Sequence, residues 1–309
     1  MTGDNVLIEG ITFRNFNFTG YGGAIQWIGM YGTLKNCNFI NNTAPRGGGV
    51  HWSSANGTIS GSTFINNTAN QSPYGGGGIY FTGDNGTLTD SNFISNTAMY
   101  EAGGVWWGGA NGILSGCTFN SNSAPRGGAV YWDRPNGVLT DSIFINNTGD
   151  DGGAARWSSL APNCSLINSI FINNTANVGG GVAWGGANGT ISYCNFINNH
   201  ANRNGGAVCW WRGDNAILTN SEFSENSANS GGAIYWDVAS SMVNCNFNNK
   251  WINNNTKSNG IYANNNLTII GGNGIVDIII QRTLSGISIV VLNNETYYYL
   301  PNTNINLRN

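Results

Sequence analysis

An aromatic residue returns every 25 to 29 positions along most of this chain, at Trp27, Trp52, Phe81, Trp107, Trp132, Trp157, Trp184, Trp210 and Trp236. A second series runs in phase with it: Phe39, Phe64, Phe93, Phe119, Phe144, Phe171, Phe196, Phe223 and Phe247. Self-similarity at a fixed short period means units that bury their apolar faces against their neighbours, so the chain is one elongated array rather than two globular domains.

Each unit has three parts. Gly-Gly-(Ala/Gly)-(Ile/Val)-x-Trp, as in Gly127 to Trp132, places a β-branched residue and an aromatic two apart, on one face of a short strand. Asn-Gly-Thr-(Leu/Ile)-x-x-(Ser/Cys)-x-Phe, clear at Asn56 to Phe64 and Asn188 to Phe196, is a turn followed by a second strand. Ile-Asn-Asn-Thr-Ala, as at Ile65 to Ala69, leads into a loop that absorbs insertions such as Gln71 to Tyr74. No segment has helical periodicity. The expected fold is all-β: a right-handed parallel β-helix of about nine to ten coils, 25–27 residues each. A propeller blade needs more residues, and a leucine-rich repeat carries a helix that the Gly-rich segment cannot form.

Stacked coils give each repeated position a role. The Asn three places after Phe recurs as Asn42, Asn67, Asn96, Asn122, Asn147, Asn174, Asn199 and Asn226 and is expected to form an internal ladder ending at Lys250. The small residue two places later lets the chain turn inward. Trp stabilises most if it points into the core, the Gly-Gly pairs then making room for it; the alternative is an outward Trp ladder that binds sugars. The residue before each Trp varies (Gln26, His51, Tyr80, Trp106, Tyr131, Arg156, Ala183, Cys209, Tyr235), which reads as a solvent-facing row.

Composition narrows the function classes. Hydrophobic residues make up 40% of the chain and there are 11 Trp, which argues against disorder. Only 9% of residues are charged and the net charge is −3, so neither a nucleic-acid footprint nor a basic membrane patch is present. No apolar run is long enough to span a bilayer. No signal peptide is visible, and Met1 leads straight into a partial repeat, as if cut from a longer array; such an end is expected to favour end-to-end self-association. Cys37, Cys117, Cys194 and Cys245 all stand two places before Phe, where other units have Ser. Two or three coils apart at ~4.8 Å per coil, they lie too far from one another for disulfides and read as small buried residues. The repeat is assigned to residues 1–265; residues 266–309, with Ile- and Val-rich runs at 275–280 and 287–292, read as degenerate terminal coils and a cap, or the start of a following β-domain.

The paired signatures Gly-Gly-Ala-Ile (Gly22 to Ile25, Gly231 to Ile234) and Phe-x-x-Asn (Phe39 to Asn42 and its counterparts) resemble the repeat of the chlamydial polymorphic outer membrane proteins. The Asn-rich form Phe-Ile-Asn-Asn-Thr-Ala resembles the adhesin-like surface proteins of methanogenic archaea. The resemblance covers roughly residues 5–265. It implies a parallel β-helix, secretion to an extracellular cell-surface position, and adhesion to glycans or proteins of a host or neighbouring cell.

Against this stands a polysaccharide-active β-helix enzyme, a lyase or hydrolase, which needs carboxylates converging on one face. The best local grouping is Asp133, Arg134, Asp150, Asp151 and Arg156, and it reads as a solvated cluster. No catalytic residue, cofactor or metal is assigned: His51 and His200 lie six coils apart, and the calcium-repeat-like Gly271 to Asp277 occurs once. Sequons such as Asn56, Asn85 and Asn188 coincide with repeat turns and do not diagnose glycosylation. The candidate ligand surface is the aromatic part of the varied row: Tyr80, Trp106, Tyr131, Arg156 and Tyr235.

Overall fold

The computed structural model describes residues 1–238 and, beyond them, segments 240–243, 245–247, 261–263, 267–270, 276–280, 288–292, 295–299 and 303–307. Lys250, the expected end of the Asn ladder, lies outside the described residues. All regular structure described is β. Three long sheets wrap one core, and each coil contributes one short strand to each. A coil runs from a Trp strand (Val130–Trp132) through an Asn-Gly turn to a Leu strand (Val138–Thr140), and from there to a Phe strand (Ile143–Ile145). Equivalent strands pair in parallel and in strict register, so Trp107 lies beside Trp132, Leu114 beside Leu139 and Phe119 beside Phe144. After the repeat, Leu267–Ile270 and Ser288–Leu292 extend the Leu sheet in parallel, and Val276–Ile280 extends the Trp sheet. Glu295–Tyr299 and Thr303–Leu307 then add to those sheets antiparallel.

The core consists of stacked identical side chains. Trp27, Trp52, Trp107, Trp132, Trp157, Trp184, Trp210 and Trp236 point inward and are fully buried. Adjacent Phe rings stack 4.7 to 5.1 Å apart. Each Trp removes ~150–250 Å² of side chain from water, on the order of 4–6 kcal/mol at most. Seven of these eight indole N–H groups find no acceptor; only Trp184 Nε1 donates, to the Gly186 carbonyl at 3.1 Å. The row therefore gains from its ring area, which explains why Phe81 fits the same slot and stacks on Trp107 at 4.8 Å.

The glycine that seats the Trp in most coils is the one after Asn in the turn, and this corrects the role expected of the Gly-Gly pair. A Cβ at Gly57, Gly112 or Gly137 would come within 2.2 Å of the Trp five places earlier. Two coils show what a side chain does there. Cys164 stands in the slot below Trp157, and the Trp132 and Trp157 rings are 6.4 Å apart, the widest step of the stack; with Ala216 in the slot, Trp210 tilts 31° from Trp184. The Gly-Gly pair has different duties. Its first residue takes φ of +59 to +77° from Gly22 to Gly231, and its second passes so close to the next coil that a Cβ at Gly128 would sit 2.1 Å from the Gly153 carbonyl oxygen.

Asparagine does the rest of the turning. The residue before the turn glycine, the one three before Phe and the one two after Phe all sit in the left-handed region, which Asn tolerates better than other non-glycine residues; Asn136 (φ 60°), Asn168 (φ 44°) and Asn146 (φ 55°) are examples. Inside, Asn122 Nδ2 donates to the Phe93 carbonyl at 2.9 Å and to Asn147 Oδ1 at 3.1 Å, while its own Oδ1 accepts from the Asn96 amide groups at 3.0 Å. The same pattern runs from Asn42 to Asn226. A second, exposed chain of amides runs along the turns, from Asn215 through Asn188, Asn163, Asn136, Asn111 and Asn85 to Asn56. All six cysteines are buried, and among the described residues none forms a disulfide. In the slot before Phe, Ser91 Oγ donates to the Thr89 carbonyl, and Cys117 Sγ lies 3.4 Å from the equivalent Ser115 carbonyl.

Candidate functional site

The strands that point Trp inward point the preceding residue outward, onto the outer face of the Trp sheet. In-register pairing sets His51, Tyr80, Trp106, Tyr131 and Arg156 side by side. The row is not the solvent-facing strip expected from its variability. Tyr80, Trp106, Tyr131 and Arg156 are only 5–7% exposed, because loops from neighbouring coils close over them. Tyr74, from the insertion at 71–74, lies edge-on to Tyr80 and Trp106, at 6.1 and 5.9 Å. Ala183 and Cys209 leave room for Trp211, which folds across Gly185 and meets the Arg156 guanidinium at 5.3 Å. Tyr235 pairs with Cys209, three coils from Arg156, and so stands apart from the other four.

Nor do the rings form a flat platform. Tyr80 and Trp106 stack 4.4 Å apart with planes 15° from parallel, and Trp106 and Tyr131 are 6.3 Å apart at 6°. Ring faces are spent on one another, which leaves the ring edges as the outward side of the row. The stack continues through cations: Arg156 lies 5.2 Å from the Tyr131 centroid, and Arg212 lies over Trp211 at 4.8 Å.

Charged residues line the row in pairs. Glu101, Arg126 and Asp151 follow one another on successive coils just before the Gly-Gly turn, joined by isolated parallel bridges. Arg126 lies 3.5 Å from Glu101, and Arg156 donates to Asp151 and, at 3.0 Å, to the Tyr131 hydroxyl. Glu101 also accepts from Trp106 Nε1 at 2.9 Å. Burial raises the Glu101 carboxyl above its usual range, while the Trp106 hydrogen bond and Arg126 oppose the rise. Of the acidic grouping expected from sequence, Asp151 meets Arg156, Asp133 pairs with Arg134 at 3.3 Å, and Asp150 faces a different edge. There it accepts from Asn177 at 3.1 Å beside a shallow trough of about 270 Å³ with Thr97, Ser123 and Thr148. Glu101, the most enclosed carboxylate of the face, was missed; its signal was its place one coil before Arg126 in the repeat. Among the described residues no three His, Cys, Asp or Glu side chains cluster to hold a metal ion, and no helix is long and apolar enough to cross a membrane.

The family model for the right-handed beta helix region matches residues 1–190. The chain belongs to the right-handed β-helix family. The model for the Chlamydia polymorphic membrane protein repeat matches residues 193–209 and 220–235, which carry Gly205-Gly206-Ala207-Val208 and Phe223-Ser224-Glu225-Asn226. Among solved structures, the crystal structure of PfbA, a surface adhesin of Streptococcus pneumoniae, aligns over 97% of this chain and 91% of that one, with a TM-score of 0.51 and 9% identity. At that identity the likeness is one of fold. No curated protein sequence matches the chain. The archaeal part of the resemblance drawn from sequence finds no support among these matches.

Proposed function

We propose that this chain is the β-helical shaft of a surface-displayed, secreted adhesin that binds glycans of a host or neighbouring cell through the outer face of its Trp sheet. The observation that carries the reading is the contrast within one strand. Val130 and Trp132 repeat from coil to coil and fill the core, whereas the residue between them is different in nearly every coil, and over four coils is aromatic or cationic. The polymorphic membrane protein repeat and the adhesin-like fold neighbour support the same reading. Ring edges, the tyrosine hydroxyls and guanidinium groups suit hydrogen bonding to sugar hydroxyls better than ring-face stacking. A catalytic role is disfavoured because Glu101, Asp133 and Asp151 each already face an arginine.

The test is a glycan array probed with the whole chain, followed by incubation with each binder and a search for cleavage products. Binding that falls when Trp106 or Tyr131 becomes Ala, with no product formed, supports the adhesin. Turnover abolished by Asp151→Asn would replace it with an enzyme.

A further inference from the structure

At the N-terminal end of the outer row one guanidinium lacks the acidic partner that Arg126, Arg134 and Arg156 have. The Cζ of Arg46 lies 4.9, 4.2 and 5.8 Å from the ring centroids of Tyr21, Tyr74 and Tyr80, and it has no ion pair with any described carboxylate. Stacking holds the guanidinium in place while leaving its N–H edge for a planar acceptor. Carboxylates match that fork with two parallel hydrogen bonds. Tyr21 and Tyr74, 39% and 37% exposed, stand on either side as apolar walls open to solvent.

A second group beside it is also unsatisfied. His51 is 8% exposed, its ring 5.3 Å from both Tyr21 and Tyr80, and its buried Nδ1 has no hydrogen-bond partner. Burial and then the Arg46 charge hold its pKa down, at about 4. The charged and titratable groups around it are Arg46, Tyr21, Tyr74 and Tyr80; Glu101 and Asp133 reach only as far as Tyr80. The site thus holds one fixed positive charge, a second group that stays neutral beside it down to about pH 4, and no described carboxylate paired with either.

We propose that Arg46, with Tyr21, Tyr74, Tyr80 and His51 around it, is a receptor for the carboxylate of a uronate-type sugar residue, which makes acidic glycans the ligand class of this face. The inference rests on the glycan-binding reading above. Arg46 takes the carboxylate in a bidentate pair, the flanking tyrosines contact the pyranose ring, and the incoming charge offsets the Arg46 charge, which after burial is the second cause of the low His51 pKa.

With two His in the chain, imidazole NMR resolves His51 against His200 as an internal control. Sodium glucuronate, glucose and sodium acetate serve as probes. Glucuronate is expected to raise the His51 pKa above about 4, though short of 6.5 because the ring stays buried, and to leave His200 unmoved, glucose to do nothing, and acetate to act only at much higher concentration. Arg46→Gln, and Arg46→Lys, which keeps the charge but loses the fork, should each weaken glucuronate binding at least about tenfold. An unmoved His51, equal potency of acetate, or undiminished binding by Arg46→Gln would overturn the proposal. Neutral glycans binding where glucuronate does not would overturn it too, leaving the adhesin reading intact. Failure of every glycan, neutral or acidic, would sink that reading with it.

Discussion

The Trp strands carry aromatic side chains on both sides, an inner stack from Trp27 to Trp236 and a shorter outer row from His51 to Arg156. The inner one repeats Trp at every position but Phe81 and is fully buried, and its order comes from register. The outer one is built of His, Tyr, Trp and Arg, no two successive positions alike from His51 to Arg156, and its cover comes from loops that differ between coils. A repeat that solves a packing problem solves it in nearly the same way in every coil, with Phe81, Cys164 and Ala216 the departures. A position that has escaped the repeat has been free to acquire chemistry, and here it is the position that gathered cations and carboxylates.

Four measurements sharpen that contrast. The largest effect is expected from Trp132→Ala, which opens a cavity shared by three coils and should cost about 3–5 kcal/mol in denaturant unfolding. Tyr131→Ala, one residue away but on the outer face, is expected to cost clearly less; equal losses would erase the distinction between the stacks. Asn122→Ala leaves the Phe93 carbonyl and the Asn96 amides without partners inside the core and should cost about 3 kcal/mol. A loss under 1 kcal/mol would show that water replaces the ladder.

The third effect depends on pH. Because the folded His51 pKa of about 4 lies below the ordinary 6.5, the unfolded chain binds the extra proton between those values. Stability from this group is complete above pH 6.5, falls as pH drops through the window, and levels off below 4, a loss of up to about 3 kcal/mol. His51→Phe should remove that slope relative to the parent chain; an unchanged slope would place the acid sensitivity elsewhere. The smallest effect is expected from Trp132→Phe, below about 1.5 kcal/mol, since the indole N–H has no acceptor to lose.

What the sequence disclosed follows the same division. The phases of Trp, Phe and Leu sufficed for a parallel β-solenoid, because side chains at one phase must share a face once coils stack. The seat of the Trp was legible as well, since Gly32, Gly57, Gly112 and Gly137 each follow a Trp by five residues, yet the Gly-Gly pair is the louder motif and drew the assignment. The burial of Tyr80 and Trp106 was not legible. Variability signals solvent only where nothing lies above, and Tyr74 and Trp211 reach the row from loops whose lengths fall outside the repeat. The direction of the rings was hidden for a related reason: a row of aromatics in sequence does not say whether faces meet neighbours or ligand. Arg46 gave no sequence signal either, because its character comes from the absence of an acidic neighbour in space.

The strict register has a mechanical consequence. Every coil-to-coil hydrogen bond lies nearly along the long axis, so tension applied between the ends loads these bonds along their length and opens them one coil at a time. A released coil of about 25 residues lengthens by roughly 85 Å at ~3.4 Å per residue, against a folded rise of ~4.8 Å. Force spectroscopy should therefore record a sawtooth of small, nearly equal steps, and a shaft made this way yields gradually while the coils on either side of a break stay folded.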